Sequence, residues 1–223
     1  MKKIFALLLS MITMMFLTAC GETTDNSSQQ ATKSTETKVS EQSAPVPTKS
    51  NSKILVAYFS RAGENYQVGV IEKGNTHIMA DMVAEITGAD EFEIKTVKPY
   101  PESYQECTEV VKKELEENAR PELSSKVEDL SKYEVIFLGY PIYWSDFPPP
   151  VYTFLESYDF NGKTIIPFCT SAGEYMTGKE VNIPQIAKGS TIRDGLGVSG
   201  KDCQNDPEKI RNAVKNWLAD LGY

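Results

Sequence analysis

The chain has 223 residues, a formal net charge of −8, 40% hydrophobic residues, four cysteines and one histidine. Such acidity speaks against nucleic acid, whose phosphates draw basic patches, and against electrostatic adsorption to anionic lipid headgroups; it steers the protein toward partners with basic surfaces. One histidine and no Cys-x-x-Cys pair leave no zinc-type ligand cluster.

Met1-Lys2-Lys3 is a short positive start, and residues 4–19 are almost wholly apolar. The run falls short of the roughly 20 residues of a comfortable membrane span and matches a secretory signal peptide. It closes with Leu17-Thr18-Ala19-Cys20 before Gly21, which resembles the lipobox of bacterial lipoproteins. That resemblance implies a signal peptide over residues 1–19, removed before a diacylated Cys20. A plain signal peptide with a chance cysteine, or an uncleaved transmembrane helix, are the alternatives. Two or three acyl chains hold a protein stably, whereas one is marginal. Residues 21–52 are rich in Ser, Thr, Gln, Glu, Lys and Pro. They carry too little apolar surface to offset ordering entropy, and read as a flexible tether with a mean reach of about 30 Å. The expected place is the extracytoplasmic face of the cell membrane. Loss of Lys2 and Lys3 makes the mature chain more acidic still. With Cys20 lipidated, Cys107, Cys169 and Cys203 remain; the odd count leaves at least one thiol free, and a Cys107–Cys203 or Cys169–Cys203 bridge stays open.

Residues 53–223 are enough for one well-buried domain. Ile54 to Phe59 is a continuous apolar run, the signature of a central parallel strand covered on both faces. In residues 76–87, Ile78, Met79, Met82, Val83 and Ile86 fall at helical spacing, and Gly88 stops the helix. Residues 91–96 alternate like a partly buried strand. Tyr104 to Glu117 reads as a polar amphipathic helix, Val135 to Gly139 as a second buried strand, and Val151 to Tyr158 as a helix. Thr164 to Cys169 is a third buried strand and Ile192 to Val198 a shorter edge strand. Pro207 to Leu221 closes the chain as a helix, with Asp206 as N-cap and Pro207 in its first position. Strand and helix alternating five times predict a doubly wound, five-stranded parallel sheet in a three-layer α/β/α domain. Ligands in such sheets sit beyond the C-terminal strand ends, where the winding reverses.

Three loops lie at such ends. After the first strand come Ser60, Arg61, Ala62 and Gly63, an excursion through residue 73, then Gly74-Asn75-Thr76 and a helix. Hydroxyl and amide groups, a glycine and a helix N-terminus together form a monophosphate site of neutral donors; the plainer reading is a turn with an N-cap. Neither GxGxxG nor GxxxxGKS is present, so dinucleotide and P-loop readings lose support. After the second buried strand, Gly139 to Pro150 (GYPIYWSDFPPP) packs Tyr140, Tyr143, Trp144 and Phe147 into a proline-stiffened loop. Such aromatics want a flat apolar ligand or a partner, unless they simply pack on the domain. After the third, Thr170-Ser171-Ala172-Gly173-Glu174 offers small residues and free amides.

Taken together, these loops resemble the flavodoxins, in particular those with a first strand of type ILVAYFS and a second loop of type GYPIWW. The resemblance covers residues 53–223. In that family the first loop, Ser-x-Thr-Gly-Asn-Thr, wraps the phosphate of FMN; Ser60 matches its start and Gly74-Asn75-Thr76 its end. Here the loop is longer, and Ala62 stands near where a threonine is usual. The family's Pro-x-aromatic-Trp loop, which covers the flavin ring, matches Pro141, Ile142, Tyr143 and Trp144. Its Thr-Ser-x-Gly loop matches Thr170, Ser171 and Gly173.

The resemblance implies FMN as cofactor and an electron carrier working with redox partner proteins. No catalytic acid, base or nucleophile stands out, and His77 reads as a surface or capping residue. Cover from Tyr143 and Trp144, with Asp146 and Glu174 nearby, predicts a low-potential flavin. The rival functions are a flavin-dependent NAD(P)H:quinone reductase on the same fold and a non-redox lipoprotein that has lost the cofactor.

Overall fold

The computed structural model describes residues 53–223. The expected signal peptide over residues 1–19, the expected lipidation at Cys20 and the expected tether all fall outside the described residues. Among the described residues, no helix is long and apolar enough to cross a membrane.

The apolar run after residue 52 forms β1 (Lys53–Tyr58). The lengthened loop behind it folds into a small antiparallel hairpin, β2 (Gly63–Asn65) and β3 (Gly69–Ile71). Then come α1 (Asn75–Thr87), β4 (Asp90–Glu93), α2 (Tyr104–Glu116), β5 (Tyr133–Pro141) and α3 (Pro149–Glu156). The chain closes with β6 (Thr164–Ser171), α4 (Ile183–Ile186), β7 (Thr191–Ile192), β8 (Leu196–Ser199), α5 (Gly200–Asn205) and α6 (Pro207–Asp220). The caps follow the sequence signals. Gly88 ends α1 in the left-handed conformation, its N–H bonded to Ala84 O, and the Asp206 carboxylate accepts from the Lys209 N–H to start α6.

The main sheet runs β4-β1-β5-β6, all parallel, and β7 and β8 share the fifth position beside β6. This is the doubly wound order implied by the flavodoxin resemblance. The expected single edge strand over 192–198 is broken in two for a chemical reason. Ile165 O accepts from Arg193 N on the edge side of β6, so Pro167, two residues on, turns its donorless nitrogen to the same side. β7 pairs up to Ile165, and β8 resumes only at Phe168.

Alternation along the strands splits the core into two layers. Leu55, Ala57 and Phe59 of the first strand run face a cluster that includes Cys107 and Val111 of α2 and Val151, Phe154 and Leu155 of α3. Val56 and Tyr58 face the other cluster, with Met79, Met82 and Val83 of α1 and Val214, Trp217 and Leu218 of α6. Each fully buried Leu or Phe contributes about 1.5–3 kcal/mol of transfer free energy. All three described cysteines are free and buried. Cys107 and Cys169 belong to one layer and Cys203 to the other, so the sheet stands between the partners of either bridge left open by the sequence.

Candidate functional site

The winding reverses between β1 and β5, and a cleft of about 440 Å³ opens beyond the C-terminal ends of β5 and β6 and beside the start of α1. Seven of the residues singled out in the sequence line it: Asn75, Pro141, Ile142, Tyr143, Trp144, Thr170 and Ser171. The remaining five are not among its lining residues, and most of them shape it from behind. Ser60 Oγ accepts the His77 N–H at 3.1 Å, capping the first turn of α1. Gly74 makes that possible by close approach: a Cβ there would sit 2.2 Å from Ser60 Oγ and 2.6 Å from Arg61 O. Thr76 is 1% exposed, and its hydroxyl lies 2.8 Å from that of Thr170, tying the start of α1 to the end of β6 beneath the cleft. Gly173 lies under the Tyr175 ring, where a Cβ would come within 2.9 Å of Cε1.

Arg61 does something the sequence did not suggest. Its guanidinium donates to Pro101 O, Glu102 O and Glu64 O, pinning the inserted hairpin to the segment before α2. Glu64 then accepts the Tyr104 N–H at 2.9 Å, supplying a carboxylate at the N-terminus of α2. This staple brings Asn65 and Tyr66 to the cleft, with the Tyr66 ring 5.7 Å from that of Tyr104. Neither residue was legible as a site residue, because the hairpin turn carries no Asn-Gly or Asp-Gly signal. Its left-handed positions are Gln67 and Gly69.

The aromatic loop of the sequence is a two-residue hairpin turn. Tyr143 and Asp146 exchange both backbone hydrogen bonds, at 3.1 and 2.9 Å. Trp144 and Ser145 between them both adopt positive φ, 51° and 59°, the geometry of a type I′ turn. Non-glycine residues held there cost about 1–3 kcal/mol each, and such strain gathers at functional sites. The turn divides its two aromatics. Tyr143 is buried, with its hydroxyl 3.7 Å from Cys107 Sγ. Trp144 stays 59% exposed, its Nε1–H donating to Thr108 O and Lys112 above its ring. Tyr175 and Tyr66 are likewise half exposed at the rim. Monomeric proteins seldom leave three large aromatics open to water around one concavity without a ligand for it.

The charges expected to tune a flavin are neutralised. Asp146 pairs with Lys179, and Glu174 with Lys209. His77 sits in the first turn of α1 with its ring 4.9 Å from Tyr58 and its Nε2 3.3 Å from Asp81, which also pairs with Lys73.

Comparison with known proteins agrees with this geometry. A family model described as Flavodoxin matches residues 53–220. A putative flavoprotein from Bacteroides uniformis ATCC 8492 is 30% identical over 75% of this chain and 97% of its own, with a TM-score of 0.57. One from Bacteroides eggerthii DSM 20697 is 27% identical over 78% of this chain and 99% of its own, at 0.59. A flavoprotein from Lactobacillus acidophilus NCFM, solved in complex with FMN, shares the fold at 21% identity and a TM-score of 0.51, over 70% of this chain and 97% of its own. No curated protein matches. The chain belongs to the flavodoxin family.

Proposed function

We propose that this flavodoxin-family protein binds FMN and carries electrons at the outer face of the cell membrane, anchored by lipid on Cys20. The observation that carries the reading is the cleft itself. It lies at the switch point of a doubly wound sheet and is lined both by exposed aromatics from three separate loops and by hydroxyl and amide side chains. The donor set suits the ligand. Asn75, the first residue of α1, lines the cleft at that helix's positive dipole end, beside Thr170 and Ser171. Tyr66, Trp144 and Tyr175 offer flat apolar surface to a ring system.

When bound, FMN supplies the redox chemistry, and the protein supplies binding, orientation and electrostatics. Here the Thr76–Thr170 hydroxyl pair holds the α1 terminus against β6. The Arg61 staple holds the Tyr66 hairpin, and the Trp144 turn sets one wall. Support for the anchor comes from the Leu17 to Cys20 motif, the apolar run over residues 4–19 before it and the polar, tether-like composition of residues 21–52 after it.

Two experiments test the carrier and the anchor. The FMN-loaded protein should oxidise NAD(P)H with a quinone only slowly unless a separate reductase is added; fast turnover on its own would make it an enzyme. Cys20→Ser should release the protein from the membrane fraction, and full retention of that variant would refute a lipid anchor at this residue.

A further inference from the structure

Among the described residues, Glu180 is the charged side chain that the fold buries, at 7% exposure. A carboxylate withdrawn from water is costly unless its oxygens are satisfied. Glu180 Oε1 accepts three hydrogen bonds: from Tyr140 Oη at 2.6 Å, from Thr177 Oγ1 at 2.7 Å and from the Thr177 N–H at 3.0 Å. Tyr140 lies in β5, inside the core. Thr177 lies in the loop after β6, two residues beyond Tyr175. Glu180 does not line the cleft, so its cost has no explanation in ligand contact.

What it holds does reach the cleft. Tyr175 is pressed onto the sheet from several sides. Its carbonyl accepts from Cys169 Sγ at 3.3 Å, and a Cβ on Gly197 of β8 would come within 2.3 Å of that same oxygen. Next to Glu180, Lys179 pairs with Asp146, two residues after Trp144. The Tyr175 loop and the Trp144 turn are thus joined by an ion pair, and the pair is tied to the core by one buried carboxylate.

We propose that Glu180 is a positioning residue for the cleft, fixing the Tyr175 wall, and through Lys179 and Asp146 the Trp144 wall, against a flat ring ligand. This rests on the flavin-binding reading. The wall faces a ring rather than a phosphate, so disturbing it costs FMN and riboflavin alike.

The test is a fluorescence-quenching titration of the purified full-length protein with FMN and with riboflavin. The variants are Glu180→Ala, Glu180→Gln, Thr177→Ala, Tyr175→Ala and the double Tyr175→Ala/Glu180→Ala. Glu180→Ala should weaken both flavins by the same factor, about tenfold, and by clearly less than that in the Tyr175→Ala background, where only the Trp144 wall is left for it to position, because residues in one network couple. Glu180→Gln keeps an acceptor oxygen for Tyr140 and Thr177 and should stay within about threefold of wild type. If Glu180→Ala does not fold, Thr177→Ala carries the test, with a smaller loss of the same pattern. Wild-type affinity in Glu180→Ala or Thr177→Ala, losses that multiply in the double variant, or a loss for FMN alone would overturn the proposal. A wild-type protein that binds neither flavin would instead remove the flavin reading on which it rests.

Discussion

Gly74→Ala is the sharpest single perturbation of the cleft. Gly74 has φ −64° and ψ 151°, ordinary extended backbone that alanine adopts freely, so the added methyl is judged by its neighbours alone. It would land 2.2 Å from Ser60 Oγ, 2.6 Å from Arg61 O and 2.9 Å from Arg61 N. Two of those atoms are backbone and cannot swing aside. Moving Ser60 breaks its bond to the His77 N–H, a capping loss of about 1 kcal/mol. Displacing the Arg61 backbone is overpacking, about 1–3 kcal/mol. The stiffer unfolded chain returns about 0.4–1 kcal/mol. The net destabilisation is about 1–3.6 kcal/mol, which lowers Tm by roughly 2–14 °C for a domain of this size. Thermal denaturation read by circular dichroism gives the number. Gly162→Ala is the control: its φ is +75° and its methyl meets nothing within 4 Å, so it should cost only about 1 kcal/mol. A Gly74→Ala protein melting within about 1 °C of wild type would show that the first loop yields to the methyl, and that the close approach does not hold it in place.

Three further outcomes follow from the same geometry. Replacing Trp144-Ser145 by Asn-Gly suits the type I′ turn; with the indole bond to Thr108 lost, the net gain by urea denaturation should be about 1 kcal/mol. The same variant should bind flavin more weakly; a gain in both would mean that the Trp144 wall does not contact the ligand. Burial pushes the Glu180 carboxyl up, but the hydrogen bonds from Tyr140 and Thr177 outweigh it and hold the carboxyl below its ordinary 4.5. The unfolded chain therefore takes up a proton first, and the stability Glu180 lends is full above 4.5 and lost as pH falls through its folded value. Wild type should lose Tm more steeply than Glu180→Gln below that pH, and parallel curves would contradict this. Burial raises all three described thiols, Cys203 to about 12. In the native protein a thiol reagent at pH 8 should find none of them. In denaturant it should count three if Cys20 is lipidated and four if it is not.

The sheet was legible because buried parallel strands announce themselves: Ile54 to Phe59, Val135 to Gly139 and Thr164 to Cys169 each showed as an apolar run. Helices α1 and α6 were legible through spacing and caps at Gly88 and Asp206. What stayed hidden depends on contacts rather than pattern. The gap between β7 and β8 follows from the donorless nitrogen of Pro167, which matters only once its neighbour strand is known. The hairpin at Gly63–Ile71 has weak turn chemistry and is held by the distant Pro101 and Glu102 carbonyls through Arg61. At the site, Asn75, Pro141 to Trp144, Thr170 and Ser171 were found by position after strands. Tyr66, Tyr104, Thr108 and Tyr175 were not, since they reach the cleft from an inserted hairpin, a helix flank and a folded loop. The roles of Ser60 and Thr76 also changed meaning: one caps α1 and the other locks it to β6.

What this protein does turns on whether its cleft holds a flavin. The absorbance spectrum of the purified protein, with FMN added to any empty fraction, decides it most directly. A flavin-binding cleft should give two visible flavin bands, one FMN per chain and quenched flavin fluorescence. A colourless protein that leaves the fluorescence of micromolar FMN unchanged would contradict it.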